Sequence, residues 1–218
     1  MPALHRFKNL LKKNLKYFVI GFILLAIFYA FSFGVKEDIF KNFDFDTTHR
    51  IQNLIPLRLD PLLSYFSLLG SFEATLVILI IFIAVRRKIT GIFLIGMFGF
   101  MHVVEIIGKA FLDHPGTPYM FHRYALDLIF PSSYVQPGGS YPSGHSMRTT
   151  YLSVLFLYAI WSATKMKLPM KIILSSVICG ILLIMLISRI SLGEHWATDV
   201  IGGALLGTAF AAFSFIFI

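Results

Sequence analysis

Residues 171–218 read KIILSSVICGILLIMLISRISLGEHWATDVIGGALLGTAFAAFSFIFI. Two apolar runs, Lys171 to Ser188 and Trp196 to Ile218, flank one short polar turn. Each is close to the roughly 20 residues that an α-helix needs to cross a bilayer. Upstream the same pattern recurs in Tyr17 to Gly34, within Pro61 to Val85, in Thr90 to Gly108, and from the Pro142–His145 turn to Trp161. The sequence therefore predicts an all-α, six-transmembrane-helix bundle that forms a single domain over residues 1–218. The first run is expected to be a retained helix rather than a signal peptide, because no small-residue cleavage site follows it.

Composition agrees. The chain has 218 residues, of which 57% are hydrophobic, 23 are Phe and only 14% are charged. A soluble domain carries about 25% charged residues, so the expected solvent is lipid. The formal net charge of +8 does not point to nucleic acid, since the basic residues stand in short clusters between apolar runs. Cys179 is the one cysteine, which rules out an intrachain disulfide or a cysteine metal site; it reads as a small core residue.

The clusters set an orientation. Residues 1–16 form a basic tail with Arg6, Lys8, Lys12, Lys13 and Lys16. Arg86, Arg87 and Lys88 follow the second run, and Lys165, Lys167 and Lys171 follow the fourth. None of the 11 acidic residues falls in these segments. The positive-inside rule puts both termini in the cytoplasm. Val35 to Asp60, Lys109 to Tyr141 and the turn around Ile190 to Glu194 then face outward. The first of these reads either as an interfacial amphipathic helix carrying Phe43, Phe45, Ile51, Leu54 and Ile55, or as a loop with apolar anchors.

The polar residues that folding does not explain gather at the outer ends of helices three to six. Lys109 ends the third; Pro142, Ser143, Gly144 and His145 open the fourth; Ser188 and Arg189 end the fifth; His195 and Asp199 open the sixth. Alternating topology brings all four ends to one face. His195 and Asp199 stand four apart at a helix start and share a side. A carboxylate on one imidazole nitrogen leaves the other free as a nucleophile. His145 is placed to act on a leaving oxygen. The Ser143 and Gly144 amides open a helix, where backbone N–H groups attract anions. With Lys109 and Arg189 as fixed cations, the set suits phosphoryl transfer, in which positioning and charge neutralisation dominate. It lacks the carboxylate cluster of a Mg²⁺ site.

Pro142-Ser143-Gly144-His145 resembles the second signature of the type-2 phosphatidic acid phosphatase (PAP2) superfamily. Ser188-Arg189, five residues, His195, three residues and Asp199 resembles the third at every fixed position. The resemblance implies a membrane-bound lipid phosphatase without cofactor or metal. His195 would become phosphohistidine, supported by Asp199; His145 would protonate the leaving group; Lys109, Ser143, Gly144 and Arg189 would bind phosphate oxygens. It further implies a lipid phosphate or diphosphate as partner; the short loops and six-helix size point to a prokaryotic cytoplasmic membrane, and the charge asymmetry to an outward-facing site. Polyprenyl diphosphates, phosphatidic acid, phosphatidylglycerol phosphate and lipid A phosphates are the family's substrates, and a polyprenyl diphosphate is preferred here. Alternatives on the same fold are a lipid phosphotransferase and a non-catalytic lipid transporter or scaffold.

The first signature departs from pattern. Lys109 is present, but Gly116 and Thr117 stand where the family has Arg-Pro. His114, His122, Arg123 and Arg148 are candidates for the missing cation. Glu105 and Arg148 each lie one turn below the catalytic layer, on helices three and four. An unpaired charge at that depth costs at least a few kcal/mol, so an interhelical Glu105–Arg148 pair is expected. A local Glu105–Lys109 pair, or Arg148 reaching the substrate, is the alternative. Glu73, in the second run, is read as functional or paired. His5 and His49 read as solvated, His102 as structural, Trp161 and Trp196 as interfacial anchors, and Gly202, Gly203 and Gly207 as sites of close helix packing.

Overall fold

The computed structural model describes residues 2–87, 89–123 and 139–218, with side chains from residue 15 onward. Lys88, the side chains of the basic tail with His5, and residues 124–138 of the second outer segment lie outside the described residues. Eight α-helices and no strand occur among those described. They are α1 (Pro2–Lys36), α2 (Lys41–Leu54), α3 (Asp60–Ser67), α4 (Phe72–Arg86), α5 (Ile92–Phe111), α6 (Gly144–Ser162), α7 (Leu168–Ser191) and α8 (Ala197–Ser214).

Local chemistry sets the boundaries. Pro61 and Pro169 sit in the first turns of α3 and α7, where a missing N–H costs nothing. Ser71 caps α4 by accepting from the Ala74 amide at 3.2 Å, and Ser143 caps α6. Val35 to Asp60, left open between helix and loop, contains the helix α2.

Four stretches are long and apolar enough to cross a membrane: Leu15–Lys36, Ile89–Phe111, Leu168–Ser191 and Ala197–Phe217. The expected second span is broken. Leu57–Gly70 and Phe72–Arg86 meet at 54°, and make a fifth span if taken together. The break falls at Ser71, whose extended backbone (ψ 156°) stops one helix and caps the next. The expected fourth span, α6, is 19 residues long but falls short in apolarity. Its first turns carry His145, Ser146, Arg148, Thr149 and Thr150, which face protein rather than lipid.

α6 and α8 form the centre. Leu152, Leu155, Leu206, Phe210 and Ala211 bury their side chains between them and their neighbours. A Cβ on Gly203 would lie 3.1 Å from the Met147 amide, and one on Gly207 3.1 Å from the Tyr151 amide. The two backbones thus approach as the small residues predict. α7, by contrast, presents Ile172, Ile173, Val177, Leu183 and Ile184 outward. Cys179 is exposed on this helix instead of lying in the core, because α7 packs along one edge only.

Contacts define the two ends of the bundle. The Arg86 guanidinium donates to the Ile218 carbonyl at 3.4 Å, and Thr90 donates to Phe217 at 2.8 Å. Tyr17 meets Tyr158 and Phe215 edge-on. The basic turn after α4, the C-terminus and the start of the first span therefore share one end. Lys109, His145, Arg189 and His195 gather at the other.

Candidate active site

The α7–α8 turn and the loop around residues 139–143 build one wall. The Ser140 amide donates to the His114 carbonyl at 2.9 Å, and the Ser143 amide donates to the Asp199 carbonyl at 3.0 Å. Asp44 of α2 secures the start of α8 by accepting from the Thr198 amide at 2.8 Å and its hydroxyl at 2.6 Å. Burial pushes the Asp44 carboxyl up, against these hydrogen bonds.

Asp199 is fully buried and accepts from four donors. His195 Nδ1 lies 3.3 Å from Oδ2, His114 Nδ1 lies 2.9 Å from Oδ1, the Trp196 amide is 3.0 Å away, and the Ser140 hydroxyl completes the set. A carboxylate only accepts, so both imidazoles carry hydrogen at Nδ1. His195 keeps 14% of its side chain exposed. Burial holds its pKa below the ordinary imidazole value despite Asp199, which leaves a neutral ring with a free Nε2 lone pair. His114 goes the other way: burial opposes its charged form, but the Asp199 hydrogen bond and charge prevail and raise its pKa.

His145 opens the opposite wall, partly exposed among buried neighbours. Lys109, Arg189 and His195 all lie within electrostatic reach of it. Arg189 is 2% exposed and donates to Ser67 and Glu194, while its Nε has no partner among the described residues. Glu105 holds the expected partner and its alternative at once, with Arg148 Nη1 at 3.7 Å and Lys109 Nζ closer, at 2.9 Å. Gly144 lies against this pair: a Cβ there would lie 2.8 Å from Arg148 Nη1 and run into the Glu105 carboxylate, so a larger residue would have to displace both side-chain ends.

Several expected phosphate contacts are redirected. The Ser143 amide is spent on the Asp199 carbonyl, and its hydroxyl accepts from Ser146 Oγ at 3.1 Å; of the two expected amides, Gly144's alone heads the helix. None of the four substitutes for the missing signature arginine is free. Arg123 grips Asp60 bidentately at 2.9 and 2.8 Å and spends two more hydrogen bonds on the Gln52 and Ile55 carbonyls. His122 Nε2 donates to the Thr117 carbonyl at 3.1 Å, and His114 is on Asp199. Arg148 faces Gly70, His102 and His145. Sequence reasoning missed Ser140, Ser67 and Glu194. Glu194 adjoins His195 and so was visible in the outer turn, but Ser140 and Ser67 reach the site only through tertiary folding.

Comparison with known proteins places the chain in a family. Residues 90–218 match the PAP2 superfamily, and the chain belongs to it. Comparison with curated proteins finds no match. Two solved structures share the fold. One is the first transmembrane PAP2 type phosphatidylglycerolphosphate phosphatase from Bacillus subtilis, with a TM-score of 0.70 and 20% identity over 90% of this chain and 93% of that one. The other is LpxE from Aquifex aeolicus, with a TM-score of 0.59 and 24% identity over 79% of this chain and 94% of that one.

Proposed function

We propose that the protein hydrolyses a lipid-linked phosphate or diphosphate through a phosphohistidine on His195. The observation that carries this reading is the His195–Asp199 pair, an imidazole whose Nδ1 lies 3.3 Å from a buried carboxylate. In the proposed first step, Nε2 attacks phosphorus and the bond to the leaving oxygen breaks. Asp199 balances the charge that the ring acquires. Lys109, Arg189 and the Gly144 amide hold phosphoryl oxygens, with the unpartnered Arg189 Nε as one donor. Ser143 fixes the α6 terminus, and His145 serves the leaving oxygen. Water then cleaves the phosphohistidine and releases inorganic phosphate.

The reading includes six spans, with α6 as the fourth and the bent α3–α4 pair as the second. Both termini are cytoplasmic and the site faces outward. The preferred substrate is a polyprenyl diphosphate, with phosphatidylglycerol phosphate, phosphatidic acid and lipid A phosphate as the other lipids to test. Phosphate release from this panel, with an acid-labile phosphoprotein trapped in wild type and absent in His195→Gln, tests the chemistry; no release from any lipid sinks it. Single cysteines at Gly116 and Lys167 should label with an impermeant reagent from opposite sides. Labelling of both from outside rejects the orientation.

A further inference from the structure

The carboxylates of the cleft are held very differently. Asp199 is fully buried under its four donors, and Glu105 spans Lys109 and Arg148 with 7% of its side chain exposed. Glu194 meets Arg189 Nη2 through Oε2 alone, and 29% of its side chain is exposed. Its Oε1 is buried without a partner among the described residues, and so is Arg189 Nε. A guanidinium and a carboxylate can close two parallel hydrogen bonds, so this ion pair is half made, with one orphaned atom on each side. The arginine is the fixed member. It is 2% exposed, Ser67 holds Nη1, and its carbonyl accepts from the Glu194 and His195 amides at 3.1 and 3.2 Å.

We infer that Glu194 is an internal competitor of the substrate: its carboxylate covers a position on Arg189 that a phosphoryl oxygen takes on binding, and side-chain rotation then releases it. The inference rests on the proposed reading of Arg189 as a phosphate ligand. A phosphoryl group binds arginine most strongly through two donors at once. Nε is open to it, Nη1 is engaged by Ser67, and Nη2 is covered by Glu194. If Glu194 stayed, two anions would share one guanidinium in a buried cleft, where like charges repel strongly. Departure breaks a single side-chain contact, and the exposed part of Glu194 gives the carboxylate a path to solvent. The backbone need not move, since the Glu194 amide remains on the Arg189 carbonyl. Without substrate the carboxylate balances a buried cation that would otherwise stand uncompensated. With substrate the phosphoryl group takes over that balance, and net binding is weaker by the contact broken.

The test measures affinity rather than turnover. Orthovanadate and inorganic phosphate are titrated by calorimetry into the full chain in detergent, for wild type, Glu194→Gln and Glu194→Ala. Both variants should bind each anion about tenfold more tightly, the scale of one charge-assisted hydrogen bond that no longer has to be broken. KM for any lipid that is turned over should fall by a similar factor. A mere support for Arg189 acts with the opposite sign, so weaker binding by the variants overturns the inference in favour of an anchoring role, and unchanged affinity overturns it as well. Displacement has its own readout in the wild type. On addition of orthovanadate, the infrared difference spectrum should show a carboxylate stretch leaving its ion-paired frequency, and the band should be absent in Glu194→Gln. No carboxylate band in wild type means that Glu194 stays in place, and overturns the exchange even if both variants fail to fold; a band that persists in Glu194→Gln belongs to another carboxylate and overturns it too. Absence of turnover on every lipid removes the hydrolase reading but leaves the binding result standing, whereas absence of anion binding by wild type and both variants removes the inference.

Discussion

His195 and His145 belong to the same cleft and meet opposite partners at the same ring atom. His195 Nδ1 faces the Asp199 carboxylate at 3.3 Å, whereas His145 Nδ1 faces the Arg148 guanidinium at 3.4 Å. An acceptor below a ring sends its lone pair to the top; a donor below sends the N–H to the top. On the proposed reading, one site thereby holds a nucleophile and a hydrogen-bond donor made from the same side chain. The lesson is that the second residue in each pair, not the histidine, sets the role.

The comparison breaks most sharply at the nucleophile. His195→Gln is expected to lower kcat by about 10⁴-fold or more, since the covalent step has no other nucleophile. Comparable turnover would move the reaction off His195. Asp199→Asn comes next, at about 10²–10⁴-fold in kcat, because an amide can present N–H to Nδ1 and turn the ring to the wrong tautomer. His145→Gln keeps a donor in the cleft and is expected to cost about 10²-fold. If it matches His195→Gln instead, the two rings are not divided into nucleophile and donor. The pH profile sharpens the contrast further. His195 must be neutral to attack, so kcat/KM should fall toward acid along a limb below the ordinary imidazole value of about 6.5. Asp199→Asn removes a charge that favours the imidazolium, and the limb should move to still lower pH. A limb unmoved by that change assigns the titration to another group.

Much of this was legible in the sequence. Fixed spacing put Ser188-Arg189, His195 and Asp199 on adjoining helix ends, and apolar runs placed those ends at the termini of membrane-length helices. The Glu105–Arg148 contact followed from matched depth and the cost of unpaired charge. What failed was tertiary. The break at Gly70–Ser71 carries a local signal, a glycine followed by a capping serine, but it lies inside a run whose length and apolarity read as one continuous span. Arg123 was a plausible phosphate ligand until the fold brought Asp60, 63 residues away, against it. His114, beside the altered signature, was one of four candidates for the missing cation, and the loop carrying it folds back on α8, 85 residues on, and brings it to Asp199.

That last contact yields the smallest expected effect. His114 shares Asp199 with His195 but takes the other oxygen, so its loss leaves the His195 hydrogen bond in place. His114→Asn keeps one donor for Oδ1 and removes only the titratable charge. Turnover is expected to change less than about fivefold, because a neutral donor still satisfies the carboxylate. Stability should respond with a definite sign. The folded pKa of His114 is raised above its unfolded value of about 6.5. Its charge therefore stabilises the fold fully below that unfolded value, and the contribution fades as pH rises through the folded pKa. Thermal unfolding in detergent should accordingly show a larger loss for His114→Asn at about pH 5.5 than at about pH 8.5, by the few degrees that about 1 kcal/mol shifts a chain of this size. An equal loss at both pH values would mean that His114 meets Asp199 as a neutral ring; a loss larger at the higher pH would reverse the sign and exclude the charged pair.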